Sequence, residues 1–115
     1  MAFAIGLLRV TAWFCVVLLA VLSLLPADDM VRTGIGGHFE HALAYAGTAF
    51  LLRLSYPDWG WQKPAIGLVI YAGALEVLQS MSAGRHPAVE DWLAGAAGVL
   101  VGICAAIIAD KLWRR

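Results

Sequence analysis

Charge is scarce in this chain. Only 14% of its 115 residues are Asp, Glu, Lys or Arg, and eight basic side chains balance eight acidic ones. No net field therefore steers it toward nucleic acid or an acidic substrate. Cysteine is nearly absent: Cys15 and Cys104 each sit inside an apolar run, without the spacing of a metal site or a redox pair. Internal repeats and low-complexity tracts are missing, and no sequence motif calls for a cofactor. Against these absences stand a hydrophobic fraction of 62% and a mean hydropathy of +0.80. A soluble globule this short has no interior large enough to hide so much apolar surface. The composition predicts a single-domain integral membrane protein.

Four helical spans are expected, over residues 3–25, 38–54, 64–82 and 91–110. The first is interrupted only by Arg9, Thr11 and Ser23 and is long enough to cross about 30 Å of hydrocarbon. It lacks a basic n-region and a good small-x-small site, so it reads as a span rather than a cleaved signal. Pro26 and Asp28-Asp29 end it, and Gly34, Gly36 and Gly37 follow. The second span carries His38, Glu40 and His41 at its start and Arg53 at its end, so its uncharged interior is short. Tyr56-Pro-Asp-Trp59-Gly-Trp61-Gln-Lys63 forms an interfacial turn, with Trp59, Trp61 and Trp113 as interface anchors. Pro64 opens the third span, which must take Glu76 and Gln79 with it. The short connections predict an all-α bundle of four transmembrane helices with antiparallel neighbours.

Basic residues set the expected orientation. With the N-terminus inside, Arg9, Arg53, Lys63, Lys111, Arg114 and Arg115 gather on the inner side, leaving Arg32 and Arg85 outside. The chain is thus expected to be N-in and C-in, multi-pass in a bacterial cytoplasmic (inner) membrane. His38, His41, Glu76, Gln79, Arg85, His86, Glu90 and Asp91 then lie at or just below the outer surface.

Helical spacing gathers these groups. His41, Tyr45 and Thr48 share one face of the second span, Gly73, Glu76 and Gln79 one face of the third, and Asp91, Gly95, Gly98 and Gly102 one face of the fourth. The glycine stripe permits close backbone approach, and Gly98-x-x-x-Gly102 is a small-residue packing pattern. An ionisable group at mid-membrane costs about 2.5–3.5 kcal/mol on insertion scales, so Glu76 marks a functional site by default. Arg85 is the natural partner of both carboxylates, because its planar fork bridges two acceptors. His38 and His41 with Glu76 offer too few ligands of fixed geometry for a metal, and none is expected.

The order His41-x-x-x-Tyr45, Glu76-x-x-Gln79, Arg85 and Asp91 heading a glycine-rich last span resembles the VanZ-like family of small bacterial membrane proteins. The resemblance runs over roughly residues 23–102, preceded by the span ending Leu22-Ser-Leu-Leu-Pro26. Family members often have Asp-Lys where this chain has Gly37-His38, and an asparagine where it has Gly95. The family takes its name from a member linked to low-level teicoplanin resistance. The resemblance implies that His41, Tyr45, Glu76, Gln79, Arg85 and Asp91 form the functional cluster.

Two readings of that cluster stand side by side. In one, Arg85, Gln79 and Tyr45 hold the polar part of a lipid headgroup, lipid-linked saccharide or lipophilic glycopeptide, while Glu76, Asp91 and His41 supply acid–base chemistry. In the other, Glu76, Arg85 and Asp91 are salt-bridged glue in a non-catalytic subunit of a homo-oligomer or larger membrane complex. Asp91 alone also suits the dipole and cap of its helix.

Overall fold

The computed structural model describes residues 2–24, 37–79, 81 and 89–113. Helix α1 runs over Ala2–Ser23, α2 over Gly37–Ser55, α3 over Gln62–Gln79 and α4 over Val89–Trp113, with a one-turn 3-10 helix, Pro57–Trp59, between α2 and α3. Among the described residues there is no strand, and the all-α expectation holds. Two of the four helices, Phe3–Ser23 and Val89–Trp113, are long and apolar enough to cross a membrane.

Local chemistry explains the boundaries. Helix α3 is described to Gln79, and Met81 N–H donates to the Leu78 carbonyl at 3.0 Å. The expected end of the third span, residue 82, lies outside the described residues. Between α2 and α3, Gly60 takes φ +69° and donates its N–H to the Pro57 carbonyl at 3.2 Å. That left-handed backbone suits glycine. Thr11, Thr48 and Ser55 return their hydroxyls to the carbonyls of Leu7, Ala44 and Leu51, at 2.8, 2.9 and 2.6 Å. These bonds satisfy each hydroxyl without water.

The tightest packing joins α2 to α4. A Cβ added at Gly98 would collide with the Ala42 carbonyl and lie 2.8 Å from its Cα; one at Gly102 would meet Ala46 in the same way, 2.9 Å from its Cα. The contact advances four residues on both helices together, so α2 and α4 run parallel. Helix α3 opposes both: His41 near the start of α2 faces Glu76 near the end of α3, and Trp92 near the start of α4 donates its indole N–H to the Val69 carbonyl at 3.1 Å. Helix α1 begins beside the end of α2, where Arg9 Nε donates to the Ser55 carbonyl at 3.1 Å and Trp13 Nε1 to the Tyr56 hydroxyl at 2.9 Å. Tyr71 donates to the Val16 carbonyl and ties α3 to α1.

The exterior is strongly apolar, and the mostly apolar interior also takes in several polar side chains. Phe3, Val10, Phe14 and Val17 of α1, Ile66, Ile70 and Val77 of α3, and Leu100, Val101 and Ile108 of α4 are each more than half exposed. Thr48, Ser55, Glu76 and Gln79 are buried. Charge is also sorted by end. Arg9, Arg53, Lys63 and Lys111 are the described Lys and Arg residues, and all lie at the end where α1 and α3 start and α2 and α4 finish, together with Asp58 and Asp110. The opposite end carries Glu40, Glu76, Glu90 and Asp91.

Candidate functional site

The acidic end of the bundle holds the cluster. Helix α2 presents His41 and Tyr45 from one face, one turn apart, with ring centroids 5.3 Å apart and planes tilted by 37°. From α3, Glu76 reaches His41, Oε1 standing 4.0 Å from Nε2. Glu76 is 6% exposed and Gln79, three residues further along the same face, is 2% exposed. The contact sets an imidazole and a buried carboxylate from two different helices side by side, at a distance too long for a direct hydrogen bond.

Tyr45 is 1% exposed, and its hydroxyl has no hydrogen-bond partner among the described residues. A buried phenol without a partner costs about 1–3 kcal/mol and is uncommon in finished interiors. Its ring lies against α4 at Gly95, where an added Cβ would come within 3.3 Å of Tyr45 Cδ2 and 3.5 Å of His41 Cδ2. This explains the residue at position 95 physically: the two rings occupy the room that an asparagine side chain would need. Asp91 stands one turn before Gly95 on the same face and so heads the stripe that packs on α2.

The structure thus brings together His41, Tyr45, Glu76 and Gln79 through α2 and α3, with Asp91 placed by register above them on α4. Arg85 and His86 fall in residues 82–88, outside the described residues. Among the described residues no group of three or more His, Cys, Asp or Glu side chains is gathered as metal ligands would be.

Trp92 escaped the sequence reading. It packs over Gly73, whose added Cβ would sit 3.3 Å from the indole nitrogen, and its hydrogen bond to Val69 fixes α4 against α3 beside the cluster. The signal was present as a glycine one turn before Glu76, on a helix otherwise rich in larger residues. Trp59 stacks on Tyr56 with centroids 4.1 Å apart and planes 10° from parallel. Trp61 and Trp113 do face outward, at 50% and 83% exposure.

No family model, no curated protein and no solved structure matches this chain. Its chemistry is therefore argued from its own geometry.

Proposed function

We propose that this chain is a four-span membrane protein of VanZ-like type whose acidic end, facing outward, binds the polar part of a membrane-embedded amphiphile. The class is a lipid headgroup, a lipid-linked saccharide or a lipophilic glycopeptide such as teicoplanin. One observation carries the reading: a buried Glu76–His41 pair, with the Tyr45 hydroxyl and Gln79 beside it, inside a bundle whose exterior is hydrocarbon.

The membrane part of the reading is favoured by magnitude. Leaving one large apolar side chain in water forgoes about 1.5–3 kcal/mol, and the ten outward residues named above would together forgo more than the roughly 5–15 kcal/mol by which a domain is stable. In lipid that term disappears. Helices α2 and α3, shorter and interrupted by ionisable groups, span by turning those groups inward or toward the interfaces. The gathering of described Lys and Arg at one end supports N-in and C-in, with the acidic end outside a bacterial cytoplasmic membrane.

At that site, the Tyr45 hydroxyl and the Gln79 amide supply directional hydrogen bonds and Glu76 with His41 accepts or delivers a proton; Arg85, outside the described residues, is the cation that the resemblance to VanZ-like proteins assigns to an anionic group. Asp91 adds a second carboxylate at the mouth. Binding in lipid nanodiscs tests this, with teicoplanin and a polyprenyl-linked saccharide as probes. Glu76→Gln and Arg85→Lys should each weaken the bound probe at least about tenfold, the effect of losing one charge-assisted hydrogen bond. Unchanged affinity in both variants, or no binding of either probe by the unaltered protein, would sink the proposal.

A second reading is favoured by the few residues through which α2 and α3 meet. There His41–Glu76 acts as a structural tie in a subunit of a larger assembly. Glu76→Gln would then lower thermal stability, and cross-linking in membranes would recover the chain at the mass of a complex.

A further inference from the structure

At the opposite end of the bundle a second site is formed by residues that the outward-facing cluster does not use. A cavity of about 170 Å³, open along one side, runs between α1, α3 and the turn joining α2 to α3. Trp13, Val16, Leu52, Trp59 and Leu68 supply its apolar walls, and Lys63 is its one charged lining residue. Its volume is comparable with the roughly 150 Å³ apolar cavity that accepts a benzene-sized guest. Lys63 lies about 20 Å along α3 from Glu76, at about 1.5 Å per residue, so the two sites are separate.

We infer that this groove binds an anionic glycerophospholipid of the inner leaflet, a short stretch of one acyl chain seated in the apolar cleft and the phosphate at Lys63. The open side gives a tail lateral entry from the surrounding hydrocarbon. The walls offer it carbon rather than unsatisfied polar atoms, because the Trp13 indole N–H is held by the Tyr56 hydroxyl and the Tyr71 hydroxyl by the Val16 carbonyl. Charge selects the headgroup. Arg9, Arg53, Lys63 and Lys111 outnumber Asp58 and Asp110 at this end, and Arg9 is held 4.5 Å over the Tyr56 ring, which stacks on the wall residue Trp59. Trp59 and Trp13 place amphipathic rings at the depth where headgroup meets tail. A zwitterionic lipid fits the cleft but gains less from this field.

The inference rests on the membrane placement proposed above and not on the ligand of the His41–Glu76 site. Native mass spectrometry of the whole protein released from mixed phosphatidylglycerol–phosphatidylcholine membranes tests it. The unaltered protein should retain phosphatidylglycerol over phosphatidylcholine. Lys63→Gln should reduce that preference about fivefold, the factor expected for one cation near a charged membrane surface. Gly67→Phe should reduce retention of both lipids, since Gly67 lines the groove and an added Cβ meets nothing within 4 Å, so the ring fills the cleft without disturbing the helices. Gly47→Ala, outside both sites and with nothing within 4 Å of an added Cβ, should retain lipid as the unaltered protein does. Equal retention of the two lipids by the unaltered protein, retention insensitive to Gly67→Phe, or loss through Gly47→Ala as large as through Gly67→Phe would each overturn the inference. A chain that stays monodisperse without detergent would remove the membrane placement beneath it.

Discussion

Tyr45 carries a hydroxyl into the centre of the bundle, where the ring is wedged between His41 and the α4 backbone at Gly95. If that hydroxyl served only packing, phenylalanine would fill the space better. Tyr45→Phe is therefore expected to leave thermal stability unchanged or raise it by up to about 1 kcal/mol, because an unpartnered polar atom leaves the interior. The same substitution should weaken probe binding several-fold. A variant that loses stability but binds normally would show the hydroxyl to be a structural group. Position 95 is the companion case: an asparagine side chain in Gly95→Asn would start 3.3 Å from the Tyr45 ring. Displacement of both rings should cost about 1–3 kcal/mol, as overpacking usually does, and should be visible as an altered Tyr45 environment in near-ultraviolet circular dichroism.

The glycines of the helices divide into two groups with opposite expectations. At Gly98 and Gly102 a Cβ meets the backbone of α2, which has no flexible end to swing aside, whereas at Gly47 it meets nothing within 4 Å. Gly98→Ala should therefore destabilise by at least about 1–3 kcal/mol, and Gly47→Ala should stabilise by up to about 1 kcal/mol through helix propensity alone. Melting temperatures in detergent compare the two directly; equal shifts would contradict the parallel α2–α4 contact. Much of this was legible in the sequence. The face shared by His41, Tyr45 and Thr48, the face shared by Glu76 and Gln79, and the glycine stripe all follow from 3.6-residue periodicity, and the buried positions agree. Periodicity identifies a face but not its partner. That Gly98 lies on Ala42, that Trp92 fills the space over Gly73, and that Tyr56 gathers Arg9 and Trp13 are contacts between residues far apart in the chain, set by three-dimensional fit.

For the molecule as a whole, the separation of charge gives an orientation that fusions can test. Alkaline phosphatase joined after residue 115 should be inactive and a green fluorescent protein at the same place fluorescent, since the end bearing Lys111 is expected inside. Active phosphatase there would invert the bundle, turning the His41–Glu76 site toward the cytoplasm and the Lys63 groove outward. The two proposed sites would then exchange leaflets, which makes this measurement informative about both. The outer surface itself was the most readable property of the chain: 62% hydrophobic residues in 115 positions leave hydrocarbon exposed in any compact arrangement.

The parallel contact of α2 with α4 also imposes an order in time. Synthesis delivers α2 and α3 before α4 exists, so for that interval the Ala42 and Ala46 carbonyls have no glycine ridge over them. His41 and Glu76 sit on consecutive helices and meet across α2 and α3 alone. The arrival of Gly98 and Gly102 then closes a bundle in which these two ionisable groups are already neighbours.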